Sequence, residues 1–219
     1  MTWEQIEAVL LARASIPVTD AVSSRAAVAL ILRDGRSGLE LLFIRRAVHP
    51  KDPWSGQMGF PGGRWEPGDG DLKATAIRET AEEIAVDLGA AAAYLGPLDE
   101  LRAMARMRPM DLAITPFVFR LRAPVEPVAG EEVDSVHWLP IDALLGPELR
   151  STVEYTQQGE ALQFPCLRFQ ELVIWGLTYR MFAGFQKLLV PPGGDTPAED
   201  LGSGARTDPE GGGSEGRLP

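Results

Sequence analysis

Gly62-Gly63-Arg64-Trp65-Glu66-Pro67-Gly68-Asp69, followed from residue 76 by Ala76-Ile77-Arg78-Glu79-Thr80-Ala81-Glu82-Glu83-Ile84, is the most informative stretch of the chain. Glycine and proline make its first part irregular, and a helical pattern begins at Leu72 and runs to Leu88, entered through Asp69 or Asp71 as N-cap. On that helix Glu79, Glu82 and Glu83 stand at i, i+3 and i+4, so three carboxylates project from nearly one face. Their mutual repulsion calls for a counter-charge, and a hard divalent cation with oxygen ligands supplies it. An isolated Glu-x-x-Glu-Glu also suits a solvated acidic helix face. The surroundings favour a site: a glycine-rich loop can lay its backbone over the helix flank, and Arg78 can hold a carboxylate bidentately.

Upstream, residues 26–32 are a continuous apolar run, residues 34–38 a turn and residues 40–44 a second apolar run, which predicts two strands joined by a hairpin. Before them Trp3, Ile6, Val9 and Leu10 recur at helical spacing until Pro17 stops the pattern. Downstream, residues 94–98, 114–119 and 133–139 suit strands, and residues 141–145 and 172–189 suit helices. Strands alternating with helices predict an α/β layered fold. The expected organisation is an N-terminal helix and linker over residues 1–24, one domain over 25–190, and a tail over 191–219. That tail is rich in glycine, proline and acidic residues and is expected to be disordered.

The whole chain has 219 residues, 45% apolar and 24% charged, as in ordinary globular domains. A net charge of −10 provides no global positive field for nucleic acid or an anionic membrane. The single Cys166 excludes an intramolecular disulfide, and the two histidines, His49 and His137, offer little to a zinc centre, so a metal here is expected to take oxygen ligands. No apolar run reaches the roughly 18 residues of a membrane span, and the first residues lack the pattern of a signal peptide. A cytoplasmic protein is expected.

Taken in order, these residues resemble the Nudix hydrolases. The family signature runs Gly, five residues, an acidic position, seven residues, Arg-Glu, an apolar residue, any residue, Glu-Glu, any residue, Gly and an apolar residue. Gly63, Arg78, Glu79, Glu82, Glu83 and Val86 match it. Asp69 takes the acidic position with one extra residue before Arg78, Thr80 stands at the apolar position, and Ala85 replaces the second Gly. The Asp and the insertion are similar to the coenzyme A pyrophosphatase branch, as are Phe60-Pro61-Gly62-Gly63 and Glu66-Pro67-Gly68-Asp69, whereas Trp54 occupies a position where that branch favours His. Glu131-Glu132-Val133 followed by Trp138-Leu139-Pro140 resembles a further family pattern, with Glu132 in register to reach the metals.

The resemblance implies an α/β/α sandwich with a mixed sheet and hydrolysis of a pyrophosphate bond with Mg²⁺ or Mn²⁺. Glu79, Glu83 and Glu82 would be the metal ligands, Glu82 or Glu132 the general base, and Arg78 the group that orients Glu79 or Glu83. Arg45, Arg46, Gly62, Gly63 and Arg64 are the candidates for binding the substrate, the arginines through its phosphates. The substrate expected is coenzyme A or an acyl derivative, with ADP-ribose, NADH or another nucleoside diphosphate derivative as the alternative. A Nudix-fold module that binds nucleotide without cleaving it is the reading from another class. The expected partner is the small nucleotide substrate, with no nucleic acid and no membrane; a homodimer stays open. Arg102, Arg106 and Arg108, interleaved with Met104, Met107 and Met110, suit a loop, and Trp65, Trp175 and Tyr179 suit either base stacking or the core.

Overall fold

The computed structural model describes residues 2–50, 54–105, 108–157, 160–189 and 205–206. In chain order its elements are α1 (Trp3–Leu11), β1 (Ser24–Gly35), β2 (Gly38–Arg46), β3 (Met58–Gly59), β4 (Gly62–Arg64), α2 (Leu72–Ile84), α3 (Leu88–Ala91), β5 (Ala92–Pro97), β6 (Leu101–Ala105), β7 (Arg108–Leu121) and β8 (Val133–Pro140). They continue with α4 (Ile141–Leu145), a 3₁₀ turn (Pro147–Leu149), β9 (Arg150–Gln157), β10 (Glu160–Phe169), β11 (Leu172–Trp175), α5 (Gly176–Leu189) and β12 (Ala205–Arg206). Among the described residues no helix is long and apolar enough to cross a membrane.

β1 is the centre of a mixed sheet ordered β3-β2-β1-β7-β5, with β4 added to β1, β6 to β7 and β8 to β2. It runs antiparallel to β2 and parallel to β7. Its unbroken apolar run follows from burial on both faces. Ala26, Val28, Leu30 and Leu32 pack into one core with Ile6 and Leu10 of α1 and Phe182 and Phe185 of α5. Ala27, Ala29 and Ile31 pack into the opposite core with Ala76 and Ile84 of α2 and Phe117 and Phe119 of β7. The molecule is therefore an α/β/α sandwich, the fold class the sequence implies.

Several local expectations need correction. The helix expected over 72–88 stops at Ile84, where Ala85 turns left-handed at φ 57° and ψ 30°, and Asp87 caps the separate short helix α3. Asp71 is the N-cap, its side chain accepting from the Ala74 N–H at 2.7 Å, which leaves Asp69 for another task. The helix expected over 172–189 begins at Gly176 (φ 62°), and residues 172–175 pair with β10 as a strand. Arg102 lies on a hairpin strand rather than in a loop, with its guanidinium on Asp20 and the Met110 carbonyl; residues 106 and 107 lie outside the described residues. The β9–β10 hairpin was not anticipated: Ser151, Val153 and Tyr155 alternate with more exposed polar residues, a period-2 pattern too poor in aliphatic side chains to stand out. Of the tail expected over 191–219, only Ala205–Arg206 is described, pairing with Leu162 and Gln163.

Candidate active site

β4 is threaded between β1 and α2 because two glycines leave room for it. Gly62 has φ 152°, and a Cβ there would stand 2.2 Å from the Ala27 carbonyl oxygen. A Cβ on Gly63 would stand 2.4 Å from the Glu79 carboxyl carbon. With both side chains absent, the Gly62 N–H donates to Glu83 Oε2 at 2.9 Å. A second close approach is made by Gly130, whose added Cβ would lie 3.0 Å from the Glu82 carbonyl oxygen. The Gly130 N–H donates to the Glu83 carbonyl at 2.8 Å and the Val128 N–H to that of Ile84 at 2.9 Å, satisfying last-turn acceptors of α2. This seats the turn carrying Glu131 and Glu132 at the C-terminal end of the helix.

At the start of the helix Asp69 and Arg78 form a closed network. Arg78 Nε and Nη2 donate to the two Asp69 oxygens at 2.9 and 3.0 Å, and Nη2 also reaches the Arg64 carbonyl at 3.1 Å. Asp69 Oδ2 accepts further from Thr75 Oγ1 at 2.8 Å and from the Glu66 N–H at 3.1 Å. These bonds, the Arg78 pair foremost, hold the Asp69 carboxyl far below its ordinary range, and Asp69 in turn holds the guanidinium more firmly protonated. Arg78 Nη1 then extends to Glu79 Oε1 at 3.0 Å and Glu82 Oε2 at 3.1 Å. Of the two carboxylates that Arg78 was expected to orient, Glu79 or Glu83, it lies on Glu79.

Glu83 is opposed instead by Arg46 from the end of β2, Nη1 to Oε1 at 3.6 Å. Its side chain is 5% exposed, and burial, joined by the charges of Glu79 and Glu132, pushes its pKa up to about 7 despite the Gly62 N–H and Arg46. Burial likewise raises Glu79, with Glu82 and Glu132 adding to the effect against Arg78. Glu82 is the accessible member, 59% exposed. A divalent cation fits this donor set chemically, since all its groups are carboxylate oxygens and their ionised forms are opposed by burial and by one another. Among the described residues no three such side chains already converge on one point, and Arg78 bridges Glu79 and Glu82.

The NUDIX domain family matches residues 23–157. The chain belongs to the Nudix family. An uncharacterised Nudix hydrolase, NudL of Yersinia pestis (strain Pestoides F), is 28% identical over 162 residues, covering 71% of this chain and 75% of that protein. An uncharacterised protein of Schizosaccharomyces pombe is 35% identical over 117 residues, 52% of this chain, and the match spans only 36% of its length. A solved Caenorhabditis elegans Ap4A hydrolase binary complex superimposes with a TM-score of 0.47 at 21% identity, covering 56% of this chain and 83% of that one.

In this Nudix hydrolase a cavity of about 230 Å³ opens on the other side of β4, and Gly62, Gly63, Arg46 and Arg64 all line it. Arg46 therefore belongs both to the cavity wall and to the surroundings of Glu83. Arg45, the adjacent residue on β2, is not in that wall; it lies near His137, whose imidazole is pushed down by burial first and by Arg45 second. Trp54 does line the cavity, whereas Trp65, Trp175 and Tyr179 do not: Trp65 is exposed, Trp175 packs 5.5 Å from Tyr155, and Tyr179 is core. Sequence reasoning missed Gly130, whose signal was a glycine directly before Glu131-Glu132. It also missed the Arg46–Glu83 approach, which no spacing could reveal.

Proposed function

We propose that this Nudix pyrophosphohydrolase cleaves coenzyme A or an acyl-coenzyme A to adenosine 3′,5′-bisphosphate and the phosphopantetheine product. Glu79, Glu83 and Glu82 are assigned as the carboxylates that hold Mg²⁺ or Mn²⁺. The bound ion supplies charge neutralisation at the pyrophosphate and activation of water. Glu82 or Glu132 accepts the proton of the attacking water at a carboxylate oxygen. Arg78 is a positioning residue for Glu79 and Glu82, while Arg46 and Arg64 meet the phosphates at the cavity mouth. Arg45 has no place in this assignment. One observation carries the reading: the buried Glu83 and the partly buried Glu79, both pushed toward the neutral form despite their arginine partners, lie directly behind a glycine strand that also walls a cavity with two arginines. A non-catalytic nucleotide-binding module would have no use for so crowded a set of carboxylates.

ADP-ribose or NADH is the second reading, favoured by Trp54 in the cavity wall where the coenzyme A branch carries His. The test is a panel with Mg²⁺ and with Mn²⁺: coenzyme A, dephospho-coenzyme A, ADP-ribose and NADH, followed by kcat/KM. Coenzyme A should exceed dephospho-coenzyme A by at least about 10-fold, as expected when a guanidinium loses its phosphate. Equal values, or faster ADP-ribose cleavage, would displace coenzyme A. No cleavage of any compound would overturn the hydrolase assignment itself.

A further inference from the structure

The cavity behind β4 has two chemically different parts. Its arginines, Arg46 and Arg64, stand with the glycine strand, and most of the remaining wall is apolar, including Trp54, Met58, Phe60, Ile114 and Met181. Among the described residues no carboxylate lines it. Two side chains bearing an amide or hydroxyl interrupt the apolar part, Gln57 and Thr178. The Thr178 hydroxyl donates to the Met58 carbonyl at 2.8 Å and is thereby committed within the protein. Gln57 differs: its backbone N–H and C=O are tied to the Trp54 carbonyl and the Arg46 N–H, which fixes the residue, while its side-chain amide makes no hydrogen bond to any described residue.

A side-chain amide carried on an anchored backbone, making no hydrogen bond to a described residue and set in a largely apolar wall, offers one donor and one acceptor side by side. The adenine edge carrying the N6 amino donor and the N7 acceptor complements it, and Gln pairs with that edge through two hydrogen bonds. The corresponding edge of hypoxanthine or guanine carries two acceptors and leaves the amide oxygen unmatched. A cavity of about 230 Å³ suits a base flanked by apolar and aromatic side chains rather than a whole dinucleotide. We propose that this cavity binds the adenine of the substrate and that Gln57 is the residue that selects it. The proposal rests on the pyrophosphate lying at the β4 end, as in the preceding reading, and it names the base common to the substrates considered there.

Calorimetric titration of the full chain with 5′-AMP and 5′-IMP in EDTA tests this without metal or turnover. AMP should bind at least about 10-fold more tightly than IMP, and Gln57→Leu should bring AMP to the IMP level while circular dichroism stays native. Gln57→Met, which keeps the length of the side chain, should do the same and replaces the first variant if that one fails to fold. Equal binding of the two nucleotides, a preference undiminished in the variants, or no binding of AMP would overturn the proposal. Those results are distinguishable from a failed hydrolase reading, which appears as absence of cleavage in Mg²⁺ and Mn²⁺ with the AMP preference intact.

Discussion

The two ends of α2 treat charge in opposite ways. At the start of the helix, Asp69 accepts four hydrogen bonds and Arg78 is shared among Asp69, Glu79, Glu82 and the Arg64 carbonyl, so both ionised forms are favoured. Beside Arg78 and one turn beyond it, the partly buried Glu79 and the buried Glu83 feel the charge of the exposed Glu132, Glu83 feels that of Glu79 as well, and both are pushed toward the neutral form. The first arrangement is self-sufficient and braces the loop to the helix. The second is in conflict unless a cation arrives, and such local conflicts are characteristic of working sites. Mutations at the two ends should therefore fail in different ways.

The largest expected effect separates them directly. Glu83→Gln retains an acceptor for the Gly62 N–H while removing the charge, so turnover should fall by at least about 100-fold with the fold intact. Glu79→Gln should behave alike. Full activity of either variant at limiting Mg²⁺ would refute the ligand assignment. Asp69→Asn should do the reverse to stability: Arg78 loses its main partner, at a cost of about 3 kcal/mol, at the low end for a buried pair because Arg78 is partly exposed. Thermal unfolding should show it as a fall of roughly 6–12 °C. An unchanged melting temperature would mean that the brace is not a brace.

The pH dependence should also divide along the helix. Because the folded-state pKa of Glu83 is raised from its ordinary 4.5 to about 7, the native state binds the extra proton between those values. Stability of the metal-free protein should therefore fall as pH rises from about 4.5 to 7, by on the order of 3 kcal/mol, and stay lowered above that window. Glu83→Gln should flatten this slope, and Mg²⁺ should restore the wild type most strongly above pH 7. Asp69 works with the opposite sign. Its lowered pKa stabilises the fold above the ordinary 3.8, a contribution lost only as pH falls toward the depressed value. Melting curves from pH 5 to 8 in EDTA that coincide for wild type and Glu83→Gln would remove the distinction.

This contrast also accounts for what the sequence could reveal. The three glutamates, Arg78 and the paired glycines were legible because one helical turn and one adjacent loop hold them at fixed spacing. The central strand was legible because both of its faces are buried, which produces an unbroken apolar run. Arg46 and Gly130 reach Glu83 only through the sheet and a long connection, so their partnership is tertiary. The strand at 172–175 was absorbed into the helix pattern because nothing but Gly176, at positive φ, marks the break.

The smallest effect concerns Ala85, which follows the crowded carboxylates and stands where the family signature has Gly. Its φ of 57° lies in the left-handed region, and its N–H closes the helix on the Ala81 carbonyl, as a C-capping glycine commonly does. An alanine Cβ is disfavoured there by about 1–2 kcal/mol, while glycine gives back part of that gain through the greater freedom of the unfolded chain. Ala85→Gly should therefore stabilise the protein by roughly 0.5–1 kcal/mol, a rise of about 1–4 °C in Tm. Because the residue is exposed and adds no charge, the change should leave kcat/KM and the pH slope of Glu83 where they were. A gain in Tm with unaltered slope would separate backbone strain at the helix end from the electrostatic conflict beside it. A loss of stability would mean that the left-handed turn is held by packing on Ala85 rather than tolerated in spite of it.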